Sequence, residues 1–177
     1  MTIEEIFVKL TNHMLEGVMI HEQFISYYQF LGLDGYSKCH EKHFKSESKN
    51  YRNIYNYYIK TYNKLLPTSA FPQPEIIPPS WLQYTRQDVD IKTKRQAVQQ
   101  GLDRWVKWER ATYEFYHEIY NDLIQIQAYY DAEQILQLIK DVKCELESIE
   151  QYQLDKISIN YDMVEIINEQ NKKDKLI

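Results

Sequence analysis

All five prolines of the chain lie in one segment, residues 67–79, which reads PTSAFPQPEIIPP. Proline cannot continue an α-helix, because its ring clashes with the preceding turn and its nitrogen has no hydrogen to donate. The flanking stretches, residues 1–66 and 80–177, contain no proline and can form long helices. The sequence therefore predicts two helical halves joined by one long connection, over about residues 67–92.

Apolar residues on both sides of this connection recur at steps of three and four, which is the period of an amphipathic helix. Gly32 and the turn Asp34-Gly35 separate the first two periodic stretches. Residues 171–177 are expected to fray. Five helices are predicted, at about residues 2–31, 37–66, 93–130, 132–153 and 158–170. The expected fold class is all-α, in a single domain over residues 1–170.

Length and composition agree with one folded domain. The chain has 177 residues, of which 44% are hydrophobic and 27% are charged, values that exclude a disordered chain. It has no long apolar run, and its first residues lack the basic region of a signal peptide. The net charge of −5 argues against direct binding to nucleic acid. These features predict a cytoplasmic protein with no membrane segment.

Four short stretches resemble ferritins. Residues 31–38, LGLDGYSK, look like the ferritin turn between the first two helices, and residues 54–57 look like the segment that follows the ferritin Glu-x-x-His. Residues 108–110 stand where ferritins begin their third-helix pattern, and residues 135–141 look like the ferritin fourth helix. Over about residues 14–150 the chain thus resembles the ferritin-like superfamily, which includes ferritin, bacterioferritin and rubrerythrin. The resemblance implies a four-helix bundle, in which two antiparallel hairpins are joined by one long crossover.

The di-iron motif of that family is degenerate in this sequence. Alignment to the family places the second-helix glutamate at Glu47, but Asn50 stands where its histidine is expected. Met14 lies near the position of the first-helix ligand, and the fourth predicted helix has no Glu-x-x-His. Two cations between helices require about four carboxylates and one or two imidazoles. The sequence therefore does not predict an intact di-iron centre.

A polar set nevertheless falls at the centre of the apolar stripes: His21, His40, Glu47 and Glu109. Buried ionisable groups are costly unless they are paired, hydrogen-bonded or bound to metal. One interpretation is a hydrogen-bonded core network with nearby tyrosines. The other is a site for iron, manganese or zinc, formed by His21, Glu47 and Glu109 with Glu145 of the fourth helix.

Two further motifs have metal-binding side chains. Glu114 and His117 form the only Glu-x-x-His, but helical register turns Glu114 away from Glu109. Cys39 and His43 share a helix face, and thiol with imidazole suits zinc, although further ligands would have to come from elsewhere. The sequence has no phosphate-binding loop, nucleophile elbow or Walker motif.

Two classes of function follow. The first is a non-catalytic interaction or accessory protein, of the kind carried by phages or mobile elements. It would bind an unidentified protein partner or another copy of itself through tyrosine and tryptophan side chains. The alternative is a ferritin-like metal-binding protein. The missing ligands favour the first class, whereas the inward Glu47 and Glu109 favour the second. No enzymatic activity is predicted.

Overall fold

The computed structural model describes residues 1–66 and 89–173. Within these ranges the protein contains α-helices and no strand, which confirms the predicted all-α class. The helices are α1 (Ile3–Phe30), α2 (Asp34–Tyr62), α3 (Ile91–Gln125), α4 (Tyr129–Ser158) and α5 (Met163–Lys173). Most of the predicted connection, residues 67–88, lies outside the described residues.

Two helix starts carry the caps that their sequences provide. Thr2 accepts a hydrogen bond from the backbone N–H of Glu5 at 3.2 Å, and the Glu5 side chain accepts one from the Thr2 N–H at 2.7 Å. Asp90 likewise accepts from the Thr93 N–H at 2.7 Å. These side chains satisfy donors that the first turn of a helix leaves free. As a result α3 begins at Ile91, two residues before the predicted start.

Three helices end in the same way, and only one of these ends has a glycine. Gly32, Gln127 and Asn160 adopt positive φ values of 66°, 61° and 50°. Each is followed by a backbone hydrogen bond that reaches back five residues, as in a Schellman motif. Because glycine is the usual residue at this position, the end at Gly32 was predictable. The ends of α3 and α4 differ from the predicted ones by five residues each, since Gln127 and Asn160 carry no such signal.

The long helices pack as two antiparallel pairs. In the first pair Phe7 of α1 contacts Tyr58 near the end of α2, at 5.1 Å between ring centroids. In the second pair Arg110 of α3 forms an ion pair with Glu150 of α4. α1 also packs on α3, where Gly101 leaves room for the Tyr28 hydroxyl. α2 and α3 both run antiparallel to α1, so they point in the same direction.

The buried apolar side chains form two clusters. The Phe7 cluster contains Ile6, Phe7, Leu10, Met14, Ile54, Tyr58, Leu66, Tyr116, Ile119, Leu123, Ala132, Ile135, Leu138, Ile139 and Val142. The Tyr28 cluster includes Phe24, Tyr28, Leu102, Trp105 and Ile149, and α5 adds Met163 and Ile166 to it. Along α2, α3 and α4 a mainly polar stretch separates the two clusters. None of the described helices has the length and apolarity needed to cross a membrane.

Candidate metal centre

A layer of histidines and carboxylates lies between the two apolar clusters, and every long helix contributes to it. The spacing on α2 explains how one helix can supply three members, since positions i, i+3 and i+7 fall on one face. We define the histidine–carboxylate layer as His21 of α1, His40, His43 and Glu47 of α2, Glu109 of α3 and Glu145 of α4.

The centre of the layer is the contact between His21 and Glu109. Both side chains are buried, with 0% and 2% of their surface exposed. His21 Nε2 lies 3.8 Å from Glu109 Oε1, which is too long for a hydrogen bond, and this nitrogen has no hydrogen-bond partner among the described residues. The same Glu109 oxygen accepts a hydrogen bond from the Trp105 indole N–H at 3.0 Å.

On the other side of its ring, His21 contacts His40. The two Nδ1 atoms are 3.0 Å apart, and His40 is also fully buried. Phe24 stacks on the His40 ring at 4.4 Å between centroids, and Trp105 packs against it at 4.3 Å. Nε2 of His40 is buried without a hydrogen-bond partner in the described structure. His40 is thus held in place by aromatic rings and by its hydrogen bond with His21.

His43 and Glu145 complete the layer on its partly exposed side. His43 Nδ1 forms an ion pair with Glu145 Oε1, and the His43 ring stacks on His21 at 5.2 Å between centroids. Both side chains are partly exposed, at 24% and 22%. One ligand atom each of His21, His43 and Glu145 lies within 4.8 Å of the others. A single cation between them can therefore reach three protein ligands from three helices.

Burial and mutual repulsion shape the charges of the layer. Burial lowers the pKa of His21 to about 3 and raises the pKa of Glu47 to about 7, with the Glu145 charge adding to the second effect. Burial, followed by the charges of Glu145 and Glu47, also raises the pKa of Glu109. Burial opposes protonation of His43, but contacts with Cys39 and Glu145 raise its pKa to about 10. Burial and mutual repulsion thus favour the protonated forms of Glu47 and Glu109, while His43 keeps its positive charge beside Glu145.

Of the four residues that the sequence indicated as ligands, His21 and Glu145 belong to the group of convergent ligand atoms, whereas Glu47 and Glu109 lie near it but are not part of it. Glu47 reaches the layer past Gly17, where an added Cβ would lie 3.7 Å from Glu47 Oε2. Of the tyrosines expected in a core network, Tyr28 has a buried hydroxyl without a hydrogen-bond partner among the described residues. That these four residues bind metal stays a prediction.

His43 is the residue that the sequence reasoning left out of the predicted ligand set. Its register with Cys39 suggested a separate zinc site, whereas in the structure His43 faces His21 and Glu145 and also contacts Cys39. The spacing His40-x-x-His43-x-x-x-Glu47 could have identified it, because it places all three on one helix face.

The Glu-x-x-His motif at Glu114 and His117 lies away from the layer. Glu114 is exposed, and the His117 ring packs edge-on against Tyr113 at 4.6 Å between centroids. This pair is therefore a surface feature of α3, and its histidine provides a control for experiments on the layer.

Comparison with known proteins gave no match to a family model, to a curated protein or to a solved structure. The metal preference of the layer therefore has to be inferred from the ligand atoms of its own side chains. Two imidazoles and one carboxylate are a donor set suited to zinc, iron and related divalent cations. Magnesium and calcium, which prefer oxygen ligands alone, suit this set less well.

Proposed function

We propose that this protein binds one divalent transition metal ion, iron, manganese or zinc, in the histidine–carboxylate layer, with His21, His43 and Glu145 as protein ligands. The observation that carries the proposal is the convergence of their ligand atoms within 4.8 Å, from α1, α2 and α4. A core that served stability alone would gain little from such a group, because buried charges are costly to desolvate.

The unpaired nitrogen of His21 supports this function. A buried polar atom without a partner costs roughly 1 to 3 kcal/mol, so such atoms are uncommon. His21 Nε2 is one of them, and it lies on the side of the ring that faces Glu109. A cation bound at His21 Nε2 would satisfy this atom.

The crowding of three carboxyl groups supports it as well. Burial and the repulsion from neighbouring carboxylates raise the pKa of Glu47 and of Glu109, and His43 supplies the positive charge within the layer. A divalent cation would reverse this repulsion and favour the ionised carboxylates. Because the ion pair between His43 and Glu145 holds a proton on His43, metal binding at His43 must release that proton.

We also propose that the helices form a ferritin-like four-helix bundle with one long crossover. In such a bundle the second and third helices run in the same direction, and sites are built from side chains on facing helices. The parallel direction of α2 and α3 and the inward position of the layer support this assignment. The interaction-protein reading stays a prediction, and the burial of Trp105, Tyr28 and Tyr58 weakens the argument that aromatic residues form an interface.

Metal content and metal affinity test the proposal. We expect protein purified without chelator to contain iron, manganese or zinc. We expect chelator-treated protein to bind close to one equivalent of Zn²⁺ per protein chain. Zn²⁺ should also raise the thermal midpoint, because a ligand that binds only the folded state stabilises it. Glu145→Gln and His43→Gln should weaken Zn²⁺ binding at least tenfold by removing a charge or a ligand.

Matched variants separate metal binding from general effects on the fold. Glu147→Gln changes an exposed glutamate two residues further along α4, and His117→Gln changes a histidine remote from the layer. Both should bind Zn²⁺ as the wild type does. A wild-type protein that binds no transition metal, or equal losses in the matched variants, would contradict the proposal.

A further inference from the structure

The contact between His21 and His40 determines which nitrogen of His21 is available, and this inference rests on the proposed metal-binding function. A histidine binds metal through a nitrogen that carries no hydrogen. If His21 binds through Nε2, its proton must lie on Nδ1. Nδ1 of His21 is the atom that contacts His40, at 3.0 Å.

A hydrogen bond between two nitrogens needs one donor and one acceptor, so the pair holds a single proton between its Nδ1 atoms. In one arrangement His21 donates to His40, and His21 Nε2 is bare. In the other His40 donates to His21, and His21 Nε2 carries a hydrogen. That hydrogen would have no acceptor, because Glu109 Oε1 is 3.8 Å away. In the first arrangement the hydrogen without an acceptor lies on His40 Nε2 instead. A metal ion at His21 Nε2 would therefore decide between the two, because it binds only the bare nitrogen.

The surroundings of His40 hold its ring with Nδ1 towards His21. Phe24 lies nearly parallel to the ring, with an interplanar angle of 13°, and Trp105 packs against it. His40 Nε2 has no hydrogen-bond partner within the described structure, so no other polar contact turns the ring away from His21. His40 itself is not in the group of convergent ligand atoms.

We infer that His40 is a positioning residue for the metal ligand His21: its Nδ1 accepts the His21 Nδ1 proton and leaves His21 Nε2 bare for the metal. Metal-binding histidines usually donate their second N–H to a carboxylate, a carbonyl oxygen or water. In this protein another buried histidine takes that role. Binding of the metal selects one of two neutral arrangements: in the selected one the hydrogens lie on His21 Nδ1 and His40 Nε2, and in the other they lie on His40 Nδ1 and His21 Nε2.

Variants at position 40 test the inference through Zn²⁺ affinity. His40→Leu keeps an apolar side chain against Phe24 and Trp105 but removes the acceptor, so we expect Zn²⁺ to bind roughly 10 to 100 times more weakly. His40→Asn keeps an acceptor oxygen near the former Nδ1 position, so it should recover most of the affinity. A purely structural role for His40 would lower the thermal midpoint of the metal-free protein in both variants and leave Zn²⁺ affinity unchanged.

Nitrogen NMR of the imidazole rings in the wild type tests the same point without a substitution. With Zn²⁺ bound, Nδ1 of His21 should carry a hydrogen and Nδ1 of His40 should not. The reverse assignment would overturn the inference, as would equal Zn²⁺ affinity in wild type and His40→Leu. If the wild type bound no Zn²⁺, both this inference and the proposed function would fail. If Glu145→Gln lost binding and His40→Leu did not, only this inference would fail.

Discussion

Two buried polar sites in this protein are built in opposite ways. Beside the Phe7 cluster, Asp131 at the start of α4 accepts hydrogen bonds from the hydroxyls of Tyr57 and Tyr62, at 3.0 and 2.7 Å. In the histidine–carboxylate layer, buried nitrogens of His21 and His40 have no partner among the described residues. The first site is satisfied by the chain itself, as expected of a structural contact. In the second site these nitrogens stay unsatisfied, and this is the feature that the proposed metal binding would explain.

The largest expected effect concerns the Phe7 cluster, which lies beside the Asp131 site. Phe7 is fully buried and contacts Tyr58, so Phe7→Ala should lower the free energy of unfolding by about 3 to 5 kcal/mol. Urea denaturation measures this loss. Met19→Ala, at an exposed position of the same helix, should change it by less than about 0.5 kcal/mol. If the two regions are independent, folded Phe7→Ala protein binds Zn²⁺ like the wild type, and reduced affinity would break the comparison.

Asp131→Ala tests the satisfied site directly. The change removes the acceptor of two tyrosine hydroxyls, and hydrogen bonds to a charged group contribute about 1.5 to 3 kcal/mol. We expect a loss of unfolding free energy in that range, with no change in Zn²⁺ affinity. Glu133→Ala, two residues further along α4 and exposed, serves as the control. An equal, small effect of both changes would show that the Asp131 contacts add nothing to stability.

Gly101→Ala tests the close packing next to the layer. A Cβ at this position would lie 2.0 Å from the Tyr28 hydroxyl oxygen, and Tyr28 is fully buried. We expect a loss of about 1 to 3 kcal/mol in unfolding free energy, measured by urea denaturation.

Tyr28→Phe removes the clashing atom and should recover most of that loss in the double variant. Alone it should be nearly neutral, because the hydroxyl that it removes has no partner in the described structure. Equal stability of Gly101→Ala with and without Tyr28→Phe would contradict the proposed clash.

The smallest effect is a pH dependence at His13, which stacks between Trp108 and Phe115 at 4.7 and 4.1 Å. Burial, and then the Lys9 charge, lowers the pKa of His13 from 6.5 to about 4. A group whose pKa is lower in the folded state contributes stability above its unfolded pKa, and that contribution is lost as the pH falls. His13 should therefore destabilise the protein as the pH falls from 6.5 toward 4.

Comparison with His13→Phe isolates this effect, because the variant keeps an aromatic ring but does not titrate. Between pH 7.5 and pH 5 the wild type should lose roughly 1 to 2 kcal/mol more unfolding free energy than the variant. Contributions from the histidines of the layer are common to both proteins and cancel. Equal losses in both proteins would show that His13 titrates normally.

Part of the site was predictable from the sequence, and part was not. His21 and Glu109 were identified because each interrupts an apolar stripe of its own helix, which is local information. Glu145 only flanks the stripe of α4, and its place in the layer depends on how α4 packs against the other helices. The register of His43 with Cys39 was visible in the sequence, and the two side chains are in contact, but the packing of His43 on His21 depends on a second helix and was not visible.

The sequence by itself determined the helices, because the signals for them are local. These signals are the confinement of proline to residues 67–79, the helical spacing of apolar residues and the caps at Thr2 and Asp90. It also determined that ionisable groups would be buried. The tertiary structure decided which of those groups find partners, because satisfaction of a buried donor or acceptor depends on residues distant in the chain. Asp131 meets two tyrosines of α2, whereas His21 meets another histidine and keeps one nitrogen unpaired.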